Sequence, residues 1–311
     1  MNSQPEHLSF ELEVVNTCDL CGSEVFNREI VMDDWNLNKC TKCNLVFTSP
    51  RYTEVYLNKM YRERYYDLAS NYLHGQLSDP SEDLIGLARS LKRRCANPQK
   101  SRIPRYLDVG CGGGVVVNAF QQAGWEAIGI DLNIKAVSAG KNKGLDLRAV
   151  SIEDQTLGKF DLISALHILE HIHSPKQFLH RCAERLVQGG YLLIEVPDYG
   201  CRASRKMGQR WPYLYPDGHL YQFTVDTISK YLNQMEFEVI QTQRVHGKGP
   251  LEDYSACPTH KTKKSSELGR LIFSMRHLVY WSPLCRRIIR FLLWHVLGYG
   301  EFIRILARKR N

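Results

Sequence analysis

The chain has 311 residues, 43% hydrophobic and 24% charged, a balance that excludes disordered and fibrous classes and leaves room for about two domains. Its net charge of +8 is unevenly placed: residues 241–311 hold 14 Lys/Arg against 4 Asp/Glu, or +10, so the first 240 residues sum to −2. A basic C-terminal segment suits nucleic acid, an anionic membrane surface or a phosphorylated substrate. Residues 1–10 lack the charged and apolar regions of a secretory leader, and no stretch reaches the roughly 18 apolar residues of a membrane span, so a cytoplasmic location is expected.

Ten cysteines without a leader favour metal binding or free thiols over disulfides. Cys18-Asp-Leu-Cys21 and Cys40-Thr-Lys-Cys43 are separated by 18 residues, a zinc-ribbon spacing. Four thiolates complete a tetrahedral site with no open position, which points to structural zinc. Two disulfides or a rubredoxin-like iron are the alternatives. Gly22 and Asn44 follow the two pairs and tolerate the left-handed backbone of a knuckle turn. Next comes a tyrosine-rich stretch (Tyr52, Tyr56, Tyr61, Tyr65, Tyr66, Tyr72) that reads as helical, then a basic linker over 93–104.

From Arg105 strands and helices alternate. The pattern predicts strands at 105–109, 125–130, 145–150, 160–166 and 191–196. Helices are expected at 115–123 and 134–143, and after Ser174-Pro175, an N-cap with a first-turn proline. The last helix should face inward with Phe178, Leu179, Cys182, Ala183 and Leu186. A helix at 225–234 and strands at 236–244 and 300–307 close the series. Such alternation argues for a mostly parallel sheet covered on both faces, with ligands beyond the carboxyl ends of its strands.

The turn Asp108-Val-Gly110-Cys111-Gly112-Gly-Gly114 lies between a predicted strand and a predicted helix. Its glycines allow close backbone approach to a ligand at a helix N-terminus. Asp131 closes the next strand, 17 positions after Gly114, where an acid can accept from both hydroxyls of a ribose. The dinucleotide fingerprint G-x-G-x-x-G/A would end on Val115, which breaks it.

On these residues the chain resembles the class I S-adenosylmethionine (SAM)-dependent methyltransferases. Further motifs agree in order: Phe160-Asp161-Leu-Ile, Leu169-Glu170-His171-Ile, and Leu186 through Gly189-Gly190 to Pro197. The resemblance implies a Rossmann-like α/β fold, a seven-stranded mostly parallel sheet with its last strand antiparallel, here carrying an N-terminal zinc ribbon. It implies SAM as methyl donor. Asp108, Gly110, Cys111, Gly112 and Gly114 would hold the methionine end, and Asp131 with Leu132 the ribose. Ser151 and Ile152 would lie near adenine, and His167 would line the pocket. The expected division is a ribbon at 1–50, a helical lid and linker at 51–104, the SAM-binding domain at 105–245 plus 300–311, and a basic amphipathic insertion at 246–299.

The paired cysteines, tyrosines and catalytic domain together are similar to bacterial sugar C-methyltransferases and polysaccharide-associated relatives. In the C-methyltransferases a His-Leu-x-x-Phe-Ser segment supplies a base. Here the matching segment is His219-Leu-Tyr221-Gln-Phe223-Thr224, which makes His219 the first catalytic candidate. Gly218 and Pro216 replace the family's Glu and Tyr, which shifts the expectation from C- to O-methylation. Glu170 and His171 are the second candidates, and Trp211, Tyr213 and Tyr215 offer stacking surfaces. The expected acceptor is a small molecule, a glycan or a lipid-linked intermediate. An RNA methyltransferase is the first alternative, weakened because the ribbon is not rich in basic and aromatic residues. A binding protein without turnover is another. Residues 266–297 mix apolar helical spacing with arginines, which suggests peripheral contact with an anionic inner-membrane face. The sequence is silent on oligomeric state and on the acceptor atom.

Overall fold

The computed structural model describes residues 12–32, 35–63, 78–95, 102–245 and 300–310. The expected insertion at 246–299, with the suggested membrane-contacting segment 266–297, and Tyr65, Tyr66 and Tyr72 lie outside the described residues.

The N-terminal part forms β1 (Leu12–Glu13), β2 (Phe26–Val31), β3 (Asn36–Cys40), β4 (Val46–Thr48) and β5 (Arg51–Tyr52), followed by α1 (Glu54–Glu63). Strands β2, β3 and β4 make an antiparallel sheet; the first cysteine pair precedes β2 and the second lies at the β3–β4 turn. Gly22 and Asn44 adopt φ of +70° and +65°, as knuckle turns require. Helix α2 (Glu82–Cys95) then packs beside the main sheet, where Trp125 Nε1 donates to the Ala88 carbonyl (3.1 Å). The predicted linker therefore starts later than residue 93, because Leu91 is buried and carries the helix through its last basic turn.

The main sheet contains β6 (Arg105–Val109), β7 (Glu126–Ile130), β8 (Leu147–Arg148), β9 (Phe160–Leu166), β10 (Leu186–Pro197), β12 (Phe237–Val245) and β13 (Phe302–Lys309). Their order is β12-β13-β10-β9-β6-β7-β8. Strands β8, β7, β6, β9 and β10 pair in parallel, and β13 runs antiparallel to both neighbours. The central strands are covered on both faces, so β9 reads as a nearly unbroken apolar run. Helices α3 (Val115–Gln122), α4 (Ile134–Lys141), α5 (Pro175–Arg185) and α7 (Val225–Gln234) supply the cover.

Local chemistry sets the helix boundaries. Ser174 caps α5 with Pro175 in its first turn, and Phe178, Leu179 and Cys182 are buried as expected. Leu186 instead begins β10. Thr224 and Thr227 close a capping box on α7.

The short elements between β10 and α7 were not anticipated. A short helix, α6 (Arg202–Met207), is capped by the buried Cys201, whose sulfur accepts from Ser204 N, and buries Ser204. The two-residue strand β11 (Tyr221–Gln222) departs from the main sheet's domain and pairs with β4 of the cysteine-bearing sheet. That sheet thus gains a strand from outside residues 1–50. Cys18, Leu20, Cys40, Leu45 and Phe47 share one buried cluster with Leu107, Ile163 and Ile194 of the main sheet.

Candidate active site and cysteine cluster

The four segments expected to hold a cofactor all follow the carboxyl ends of parallel strands. Val109 pairs with Ile130 and Ala165, and Ile130 with Arg148, so the turns after β6, β7, β8 and β9 emerge along one edge of the sheet. Gly110, Gly112 and Gly114 have φ of +73°, +51° and +89°. At Gly114 an added Cβ would lie 2.7 Å from Leu145 Cδ1, and at Gly110 it would overlap Ile168 Cδ1. Only glycine fits such a turn. Asp131 closes it from outside: Gly112 N donates to Oδ2 (2.9 Å) and Asn133 N to Oδ1 (2.8 Å). Each carboxylate oxygen keeps acceptor capacity beyond these bonds. Burial raises the Asp131 pKa.

Asp108 is 3% exposed. Its Oδ1 accepts from Ser164 Oγ (2.5 Å) and Tyr106 OH (3.2 Å). Burial is the largest influence on it and raises its pKa to about 7, against these stabilising bonds. Leu132 lies between Asp131 and the α4 cap Asn133. Ser151 is exposed, whereas Ile152 is buried in the main cluster. His167 follows β9 in a left-handed conformation, φ +57°, with its ring edge-on to Phe302. Its Nε2 lies 3.3 Å from Glu195 and its Nδ1 3.7 Å from Glu170. Desolvation opposes charge on the ring, but these carboxylates overcome it and raise His167 to about 9.

Beyond His167 the chain brings Glu170, His171 and His219 together, with donor atoms within 4.8 Å of one another. This set could share a proton or hold a cation. Glu170 is 1% exposed, and neither carboxylate oxygen has a hydrogen-bond partner. Burial opposes its charge, and His167, His171 and His219 outweigh that and lower its pKa. The His171 and His219 rings meet edge-to-face, 4.7 Å between centroids.

Both tautomers follow from backbone carbonyls. His219 Nδ1 is 2.8 Å from the Tyr213 carbonyl, and His171 Nδ1 is 2.8 Å from the Gly218 carbonyl. A carbonyl only accepts, so each Nδ1 carries a proton, and a neutral ring then keeps its lone pair at Nε2. Burial, then the neighbouring His171, lowers His219 to about 4, so its ring is neutral at pH 7.

Tyr61 links the two halves of the site, a role that nothing in the chain's pattern distinguishes among so many tyrosines. Its carbonyl accepts from Asn133 Nδ2 (2.9 Å), beside Asp131, and its hydroxyl lies 3.0 Å from His171 Nδ1. Ser164, Tyr106 and Glu195 were also missed, because they act as partners of candidate residues from neighbouring strand positions. Of the stacking candidates, Tyr213 packs on Phe302, Trp211 is buried against Tyr199 and Tyr213, and Tyr215 is exposed beside His219.

The cysteine cluster lies apart from these groups. Cys18 and Cys43 sulfurs are 3.4 Å apart, Cys21 and Cys40 sulfurs 3.5 Å, and all four lie within 4.8 Å of one another. A tetrahedron with Zn–S bonds of about 2.3 Å has edges of about 3.8 Å, so the donor set fits zinc in type, number and spacing.

An α/β sheet of this order with an acid-clasped glycine turn defines a nucleoside-binding transferase fold. A family model described as "Methyltransferase domain" matches residues 81–242, about half of the chain, and the chain belongs to that family. Curated relatives include the ubiquinone biosynthesis O-methyltransferases of Bordetella avium (35% identical over 101 residues; 30% of this chain, 42% of that one) and Alkalilimnicola ehrlichii (29% over 126 residues; 38% and 50%). The chain thus spans half or less of the length of these relatives. Among solved structures, the plantazolicin methyltransferase BpumL in complex with SAH superposes with a TM-score of 0.50 at 14% identity, covering 82% of this chain and 94% of that one. That likeness establishes the fold.

Proposed function

We propose that the chain is a SAM-dependent O-methyltransferase acting on a hydroxyl of a small-molecule, glycan or lipid-linked acceptor, with His219 as general base. The observation that carries the reading is the continuity from Asp131 and the glycine turn, through Tyr61, to the His171–His219–Glu170 cluster. Asp131 grips the ribose, Asp108 and the backbone of the glycine turn hold the methionine end, and Ile152 and Ser151 border the adenine. When bound, SAM supplies an electrophilic methyl group on a sulfonium. The protein's part is to align the acceptor oxygen with that carbon and to remove its proton. His219 takes the proton at Nε2 as the oxygen is alkylated, and the charge of Glu170 favours the imidazolium so formed. His171, fixed by Tyr61 and Gly218, borders the acceptor. O-transfer is favoured over C-transfer by Gly218 and Pro216 at the base segment and by the O-methyltransferase names of the relatives.

Zinc in the Cys18, Cys21, Cys40 and Cys43 set is structural, closing the ribbon at 1–50. Residues 51–104 act as lid and linker to a catalytic unit of 105–245 plus 300–311.

The test is His219→Gln in the full chain, with SAM affinity measured by calorimetry and methyl transfer by an acceptor screen with labelled SAM. Transfer should fall about 10²–10⁴-fold with SAM affinity unchanged. A parent protein that fails to bind SAM or its demethylated product overturns the activity. Unchanged turnover in the variant removes His219 as base.

A further inference from the structure

The segment bearing His219 has little structure of its own. It runs from a turn at Tyr215–Gly218 into the two-residue strand β11, and an isolated pairing of that length is marginal in water. What fixes it comes from two sides. From the catalytic domain, the Glu170 carbonyl accepts from Leu220 N (2.8 Å). From the ribbon, Thr48 N donates to the Leu220 carbonyl (2.9 Å), and Thr48 Oγ1 donates to the His219 carbonyl (3.3 Å). Pairing of Tyr221 with Phe47 and Gln222 with Val46 continues the ladder. Gln222 Nε2 adds a second donor to the His219 carbonyl (3.3 Å). Farther along, the Tyr221 hydroxyl accepts from Arg51 Nη1 (2.9 Å) and donates to the His173 carbonyl (3.1 Å).

We infer that the ribbon hairpin is part of the catalytic apparatus, with Thr48 a positioning residue that sets the backbone of His219. The inference rests on the proposed role of His219 as base. Thr48 is fully buried, it stands outside the four-cysteine donor set, and its hydroxyl is turned out of the ribbon to the His219 carbonyl, so a hydroxyl there is not explained by the ribbon's own fold. Strand addition converts the ribbon into a template: its backbone holds the Leu220 carbonyl, the Thr48 hydroxyl holds the His219 carbonyl, and the ring of His219 then reaches the Tyr213 carbonyl that selects its tautomer. A displacement of the ring by about 1 Å is enough to cost a large part of the alignment.

The test compares Thr48→Val, which keeps shape and the backbone N–H but loses the hydroxyl, with Thr48→Ser, which restores it. Steady-state rates are read beside ¹⁵N spectra of the histidine side chains in the full chain. Thr48→Val should lower kcat about tenfold with KM for SAM unchanged, and the His219 ring resonances should shift toward a mixture of tautomers. Thr48→Ser should recover most of both. If Thr48→Val leaves kcat and the His219 resonances as in the parent, or if Thr48→Ser is as impaired as Thr48→Val, the positioning role falls. The spectrum separates this from the base assignment. Should His219→Gln prove fully active, a His219 resonance that still follows Thr48 would keep the hairpin as the determinant of that side chain's geometry, and one that ignores it would overturn the inference outright.

Discussion

Asp108 illustrates how one residue is held in a state its solution chemistry disfavours. Burial under the glycine turn raises its pKa from 3.8 to about 7, despite hydrogen bonds from Ser164 and Tyr106. Folding therefore favours the protonated acid. That contribution is complete below pH 3.8 and is lost as pH rises through 7. Asp108→Asn keeps a neutral group of the same shape. At pH 8 it should stabilise the ligand-free protein, by up to roughly 4 kcal/mol at about 1.4 kcal/mol per tenfold change in the protonation equilibrium. At pH 4 the difference should nearly vanish. Thermal melts at the two pH values decide it: a gain of equal size at both, or a loss at pH 8, excludes the account. The same variant should bind SAM more weakly, because the carboxylate is proposed to face the methionine ammonium. Stability given up at the empty site is then the cost of binding a cation there.

At the scale of elements, α5 shows how the ribbon and the catalytic domain share their caps. Ser174 is the N-cap legible in the sequence. Its hydroxyl donates to Asp19 Oδ1 (2.7 Å), while Asp19 Oδ2 accepts from Lys176 N (2.9 Å) and Tyr231 OH (2.8 Å). An anion at a helix N-terminus is favourable, and Asp19 adds it from the middle of the first cysteine pair. Asp19→Ala should cost about 2–3 kcal/mol, read from urea midpoints at unchanged zinc content. A loss of zinc with little change in stability would instead make Asp19 a knuckle residue only. Ser174, Pro175 and the apolar spacing of α5 are local signals, as are the glycine turn and the strand boundaries of β6 and β9, and each was readable from adjacent residues. Asp19 to Ser174, Thr48 to Leu220 and Tyr61 to Asn133 join segments far apart in the chain. Periodicity carries no trace of such pairs, so β11, the shared sheet and the role of Tyr61 emerge only when the segments are brought together. The base segment lay between these cases: its residues were recognisable, but the carbonyls that fix both tautomers were not.

Across the whole molecule these links turn a small cysteine module and a catalytic domain into one core. Cys18, Leu20, Cys40, Leu45 and Phe47 pack in the same buried cluster as strands β6, β9 and β10. At its periphery, Lys230 Nζ reaches the Cys43 carbonyl (3.2 Å), and buried Arg51 joins Glu13 to Tyr221. A four-cysteine hairpin alone buries too little to fold without metal. Here its apolar side is also one wall of a larger core, so loosening the hairpin exposes residues that the sheet needs covered. Zinc should therefore stabilise the catalytic domain as well as the ribbon. Heating the full zinc-loaded chain, followed by far-ultraviolet circular dichroism and by tryptophan fluorescence, should give one coincident transition. Chelation should lower that single midpoint rather than split it. An early transition confined to the ribbon, with the remainder melting at the midpoint of the zinc-loaded protein, would mean that the two parts touch without sharing stability. The position of His219 would then have to be secured from the catalytic side alone.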